Sequence, residues 1–182
     1  MKNLVIAGTS GVGKSFLEEE LEKRKLYFQI PKYSDREARS GDNPLKLKYL
    51  SSGEFEANRV NFFFTLSYNS FNYGWKKEDL KKGPVVMDMT LESLENFMIN
   101  NPEFLPVVLE VSENNLEMLE TRMRKRGESE EKIKKRIELS KEEIAKMEKY
   151  RKIVQKYKGL IFQIKNNQTI FEEVIPVLAK RR

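Results

Sequence analysis

The passage that most constrains this chain lies near its start. Leu4-Val5-Ile6-Ala7 is followed by Gly8-Thr9-Ser10-Gly11-Val12-Gly13-Lys14-Ser15 and then by KSFLEEELEKR over residues 14–24. The first run is aliphatic without polar alternation, as suits a strand buried on both faces of a parallel sheet. The last sets Phe16 or Leu17 with Leu21 on one helical face and charges on the other. Between them stands GxxxxGK[ST], in the strand, loop and helix context that gives this motif its meaning. Glycines let successive backbone N–H groups curl inward around an anion, and the helix N-terminus adds partial positive charge. Lys14 can reach the β and γ phosphates of a nucleotide, and Ser15 can offer its hydroxyl to Mg²⁺. The nucleotide-binding stretch is thus Ser10, Gly11, Val12, Gly13, Lys14, Ser15 and Phe16.

Downstream, Val85-Val86-Met87, Val107-Val108-Leu109 and Leu160-Ile161-Phe162-Gln163-Ile164 read as further buried strands with helices between them. That alternation predicts α/β layering around a central parallel sheet, and 182 residues fit one domain. Asp88 closes the second apolar run, where a carboxylate at the carboxyl end of a parallel strand would face phosphates and their Mg²⁺. Residues 27–82 break the rhythm: they are rich in aromatics, Ser and Asn, with Ser51-x-x-Glu54 as a candidate capping box. This segment reads as an inserted, substrate-facing region. Residues 112–157 read as two charged helices broken at Gly127, with Ser129 capping the second.

Composition removes whole classes of chemistry. With no Cys there is no disulfide framework, thiolate zinc site or cysteine nucleophile, and with no His there is no imidazole base, His metal ligand or Ser-His-Asp triad. The 34 Lys and Arg against 28 Asp and Glu leave +6, so partners are expected to be anionic. Nucleic acid is disfavoured, because the basic stretch 121–158 is interrupted by Glu128, Glu130, Glu131, Glu138, Glu142, Glu143 and Glu148, as on salt-bridged helix faces. No apolar run approaches the roughly 18 residues of a membrane span, so a soluble, cytoplasmic protein is expected, either a monomer or a homodimer.

Taken together, the motifs identify a resemblance to the guanylate kinase family over nearly the whole chain. Asp35-Arg36-Glu37-Ala38-Arg39-Ser40-Gly41-Asp42 is similar to the family's TTRxxRxGE, Asn72-Tyr73-Gly74 to its YYG, and Arg122-Met123-Arg124-Lys125-Arg126-Gly127 to its RLxxRG. Glu54-Phe55, Arg136-Ile137 and Lys165-Asn166 fall where the family has EF, RL and a terminal ND. The resemblance implies a three-layer P-loop kinase fold with an acceptor-binding insertion over about 32–82 and a helical lid over about 122–137. The core would comprise about 1–31, 83–121 and 138–182. It also implies transfer of the γ-phosphoryl group of Mg²⁺-ATP to a small phosphorylated acceptor. On that reading Arg36, Arg39, Tyr73, Tyr49 and Asp88 contact the acceptor, and Ser15 and Asp88 serve the metal. Asn166 contacts the donor nucleotide, and Lys14, Arg36, Arg126 and Arg136 carry catalysis. Arginine suits these positions because its planar fork binds phosphate bidentately.

The chain also departs from the family. Counting back from Tyr73, the glutamate with which the family reads guanine falls on or near Phe64, and the sequence holds no acid between Glu56 and Glu78. Trp75 follows Tyr73-Gly74 where the family has Ser or Thr, the tyrosine expected before EF falls on Leu47 or shifts to Tyr49, and Thr90 replaces a second Asp. GMP or dGMP is the default acceptor. The alternatives are another phosphorylated acceptor, such as ribose bisphosphate or a different nucleotide, and a binding module without turnover. Phe62, Phe63 and Phe64 with Tyr68 and Phe71 read either as core or as a stacking platform for a base.

Overall fold

The computed structural model describes residues 2–38, 42–68 and 70–181. Strand β1 (Leu4–Gly8) leads through the glycine loop into α1 (Lys14–Lys23), and β2 (Phe28–Gln29) follows. Then come β3 (Lys32–Ser34), β4 (Leu47–Tyr49), α2 (Ser52–Asn58), β5 (Phe62–Tyr68) and β6 (Phe71–Lys76). The chain returns through β7 (Val85–Met89), α3 (Leu91–Asn100) and β8 (Leu105–Glu110) to α4 (Leu116–Lys125), α5 (Glu130–Ala145), α6 (Met147–Lys156) and β9 (Leu160–Gln163). Three helical segments, Asn167–Thr169, Ile170–Val174 and Ile175–Lys180, run on to the end of the described chain, the middle one a π turn.

The central sheet has the order β2-β7-β1-β8-β9, and every pairing in it is parallel. All five residues of β1 are buried, and their alternation builds a layer on each side. Leu4 and Ile6 join Leu17 and Leu21 of α1, Leu119 of α4 and Ile133 of α5 on one face. Val5 and Ala7 join Leu94 and Phe97 of α3 and Tyr150 and Ile153 of α6 on the other. The result is the expected three-layer α/β arrangement.

Residues 112–157 hold three helices rather than two. Lys146, at φ −93° and ψ 5°, interrupts the expected second helix between α5 and α6. The interruption has a packing reason: α5 contributes to one face of the sheet and α6 to the opposite face, so the chain must change direction there. The cap at Ser129 is as expected, its hydroxyl accepting from the Lys132 N–H at 3.4 Å.

Between β2 and β7 the chain forms a second sheet of order β4-β3-β6-β5, in which β5 and β6 are an antiparallel hairpin. The Ser51 and Glu54 capping box is complete, with Glu54 N–H on Ser51 Oγ at 3.2 Å and Ser51 N–H on Glu54 Oε2 at 2.7 Å. Gly74 is required by close approach, since a Cβ there would lie 2.8 Å from the Phe62 ring. Phe62 and Phe64 belong to the core and not to an open stacking platform. Phe64 meets the edge of Phe97 at 4.9 Å, and Phe97 meets Phe104 at 5.0 Å, so Phe97 ties the second sheet to the central one.

Phe97→Ala should therefore lower unfolding free energy by about 3–5 kcal/mol, read as a shift of the urea midpoint at unchanged slope.

Candidate active site

The carboxyl ends of β1, β2 and β7 open onto a cavity of about 630 Å³, in keeping with where ligands sit on open α/β sheets. Its rim comes from the glycine loop, α1, the second sheet and the cavity-facing sides of α4 and α5. In the loop, Gly11 and Gly13 take φ of 84° and 114°, a left-handed backbone that other side chains resist. A Cβ on Gly13 would also lie 2.9 Å from Ile170. Lys14 folds back over the loop, its ammonium donating to the carbonyls of Gly8 at 2.6 Å and Thr9 at 3.0 Å. Arg122 braces the loop from α4, donating to the carbonyls of Gly11 and Val12 at 2.9 Å each and to Asn167 Oδ1.

On the floor, the Lys32 ammonium donates to the Asp88 carboxylate and lies 5.5 Å from the centre of the Trp75 ring. Glu18 is 3% exposed, and its Oε2 accepts from Gln29 Nε2 at 3.1 Å. These groups titrate together. Burial works to lower Lys32, but Asp88 and Glu18 outweigh it and hold the ammonium above its usual range. Burial would raise Asp88, yet Lys32 and Lys14 hold it below the usual carboxylate range. For Glu18, burial and the neighbouring Asp88 charge both push the carboxyl well up. Burial lowers Lys14 against the pull of Asp88 and Glu143.

The outer wall is a set of engaged arginines. Arg36, 7% exposed, pairs with Asp42 at 2.8 Å and donates to the Glu37 carbonyl at 2.7 Å. Tyr49 donates its hydroxyl to the same Asp42. Arg126 and Arg136 each pair with Glu128 at 2.9 Å, drawing the two ends of the expected lid together.

A curated guanylate kinase of Rhodopirellula baltica is 29% identical over 161 residues, covering 81% of this chain and 76% of that protein. The chain is similar to that guanylate kinase over most of its length. The crystal structure of guanylate kinase from Anaplasma phagocytophilum superposes with a TM-score of 0.69 at 13% identity, covering 99% of this chain and 86% of that one, a likeness of fold. No family model matches the sequence.

Of the residues singled out by the sequence, Ser10, Gly11, Gly13, Lys14, Ser15, Phe16, Arg36, Tyr73, Asp88, Arg126 and Arg136 all line this cavity. Val12 is fully buried beneath the loop and Tyr49 acts on the site through Asp42. Asn166 turns its side chain to cap its own helix, accepting from Thr169 N–H at 3.0 Å, and the neighbouring Asn167 lines the cavity. Arg39 lies outside the described residues. Phe64, where the family's guanine-reading glutamate would fall, is 7% exposed in the aromatic core and does not line this cavity.

Sequence reasoning missed Glu18, Gln29, Lys32 and Lys46. Glu18 and Glu22 sit one turn apart in a run that resembles a solvated helix face, yet Glu18 is buried against Gln29 and Glu22 pairs with Lys46. The usable signal was an acid placed directly after the buried Leu17. For Mg²⁺, the Ser15 hydroxyl and the Asp88 carboxylate both line the cavity, and no cluster of three metal-ligating side chains occurs among the described residues. That donor set fits an ion that keeps waters and arrives with substrate phosphates.

Because Glu18 binds its proton more tightly folded than unfolded, its contribution is fully present below about pH 4.5 and is lost as pH rises toward its folded value. Glu18→Gln should gain stability relative to the parent from that pH upward, by up to about 1.4 kcal/mol per pH unit. Asp88, shifted the other way, contributes its change only at lower pH. Urea unfolding of both proteins from roughly pH 4 to roughly pH 8, across the usual carboxyl range and above it, checks the sign.

Proposed function

We propose that this protein is an ATP-dependent phosphotransferase that moves the γ-phosphoryl group to the phosphate of a nucleoside monophosphate, GMP or dGMP by default. The observation that carries the reading is the convergence of Lys14, Ser15 and the glycine loop with Arg36, Arg126 and Arg136 on one cavity. Loop amides and Lys14 would cradle the donor's phosphates once Lys14 leaves the Gly8 and Thr9 carbonyls. Arg36 would exchange Asp42 for the acceptor phosphate and hold it in line. Arg126 and Arg136 would exchange Glu128 for charge spreading over the equatorial oxygens of a loose transition state. Mg²⁺ held by Ser15 and Asp88 would supply further charge neutralisation. No proton-transfer residue is needed, which suits a chain without His.

A second reading keeps this chemistry and changes the acceptor to a phosphosugar such as ribose bisphosphate. The burial of Phe64 in the core, where the family's base-reading acid would be, favours it.

Acceptor-dependent ADP release from MgATP, measured across nucleoside monophosphates and ribose bisphosphate, tests both. Lys14→Ala should abolish release. Arg36→Lys should chiefly raise the acceptor KM, and Arg126→Ala should chiefly lower kcat, on the order of a hundredfold or more. Turnover untouched by all three changes would rule out these roles.

A further inference from the structure

Gln29 ends β2 on the cavity floor and is 8% exposed. Its main-chain N–H donates to Glu22 Oε1 at 3.3 Å, its main-chain carbonyl accepts from Lys46 at 3.4 Å, and its Nε2 donates to Glu18 at 3.1 Å. Whether ionised or neutral, Glu18 keeps an oxygen that can accept from that amide. The Gln29 side-chain oxygen, by contrast, is buried and has no hydrogen-bond partner at all. Such an atom is rare in native proteins because its desolvation is uncompensated, and it calls for an explanation. Three residues on, Lys32 lines the same cavity. An ammonium donates three hydrogen bonds and accepts none, so after Asp88 takes one, two remain for a carbonyl.

An acceptor and a donor-only group thus stand close in sequence on the floor of the site. We propose that Gln29 and Lys32 read the –NH–C(=O)– edge of a lactam nucleobase, the edge that guanine, uracil and thymine share. The Gln29 oxygen accepts from the ring N–H, and the Lys32 ammonium donates to the ring carbonyl. Adenine and cytosine present the reverse pattern: their amino group would face the ammonium, and their bare ring nitrogen would face the Gln29 oxygen. Discrimination then comes from two mismatches as well as two matches. This assignment rests on the nucleotide phosphotransfer proposed above and moves base reading from β5, where Phe64 is core, to the end of β2 and the residues that follow it.

The test is steady-state ADP release from MgATP with GMP, UMP, dTMP, AMP and CMP, for the parent, Gln29→Met and Gln29→Glu. At least one lactam nucleotide should exceed AMP and CMP by about a hundredfold or more in kcat/KM. Gln29→Met should shrink that ratio about tenfold or more, and Gln29→Glu, which still accepts, should keep it. Equal use of AMP or CMP by the parent, or a proportional loss on all five nucleotides in Gln29→Met, would overturn the proposal while leaving phosphotransfer standing. If Gln29→Met does not fold by circular dichroism, a folded Gln29→Glu without base preference overturns it equally. Absence of turnover with every nucleotide would overturn the nucleotide kinase reading and this assignment with it.

Discussion

The site depends on β1 being apolar on both faces. A strand with no polar side can be stable only between two covering layers, and the alternation of Leu4 and Ile6 with Val5 and Ala7 supplies both. Once β1 is central, its carboxyl end is fixed beside those of β7 and β8, in register Ile6 to Asp88 and Gly8 to Leu109. The glycine loop therefore emerges alongside Asp88 by construction. The close fit behind it, where a Cβ on Gly8 would lie 2.6 Å from the Leu109 carbonyl, leaves no room for a side chain at the start of the loop.

That dependence explains what could be read from the sequence. Local signals sufficed for β1, α1, the Ser51 capping box and the cap at Ser129, because each is set within a few residues. They also sufficed to bring Lys14, Ser15 and Asp88 to one cavity, since strand ends and a fixed loop spacing set their positions. They failed at Lys146, where the break between α5 and α6 reflects which face of the sheet each helix covers, a fact absent from the local pattern of charges. They failed again at Glu18 and Lys32. The partner of Lys32 is 56 residues away, and the buried Glu18 meets Gln29 at the end of β2. Long-range pairing, rather than residue type, turns these ordinary charges into a site.

The same pairing bears on how the cations of the cavity are held in place. Each of the cavity-lining Arg36, Arg126, Arg136 and Lys32 is held by a carboxylate of the chain itself. Lys14 rests on two carbonyls. A half-buried cation left bare would incur a desolvation cost, and a long side chain left free would lose entropy on binding. Internal acids avoid both, so an anionic ligand has only to exchange with Asp42 or Glu128. The net gain in affinity from each exchange is small, because one charged hydrogen bond replaces another. The gain in geometry is larger. Cations already positioned in forks on one wall can meet a phosphate with little reorganisation, and preorganised charge of this kind is what lowers barriers in phosphoryl transfer. Tyr49 holds the same Asp42 with which Arg36 pairs, the acid that Arg36 would release on the proposed function. On the proposed function, a chain without histidine would organise its chemistry by exchanging Asp42 and Glu128 for phosphates around fixed cations, and Glu18, its carboxyl pushed up by burial and by Asp88, would take no part in that exchange.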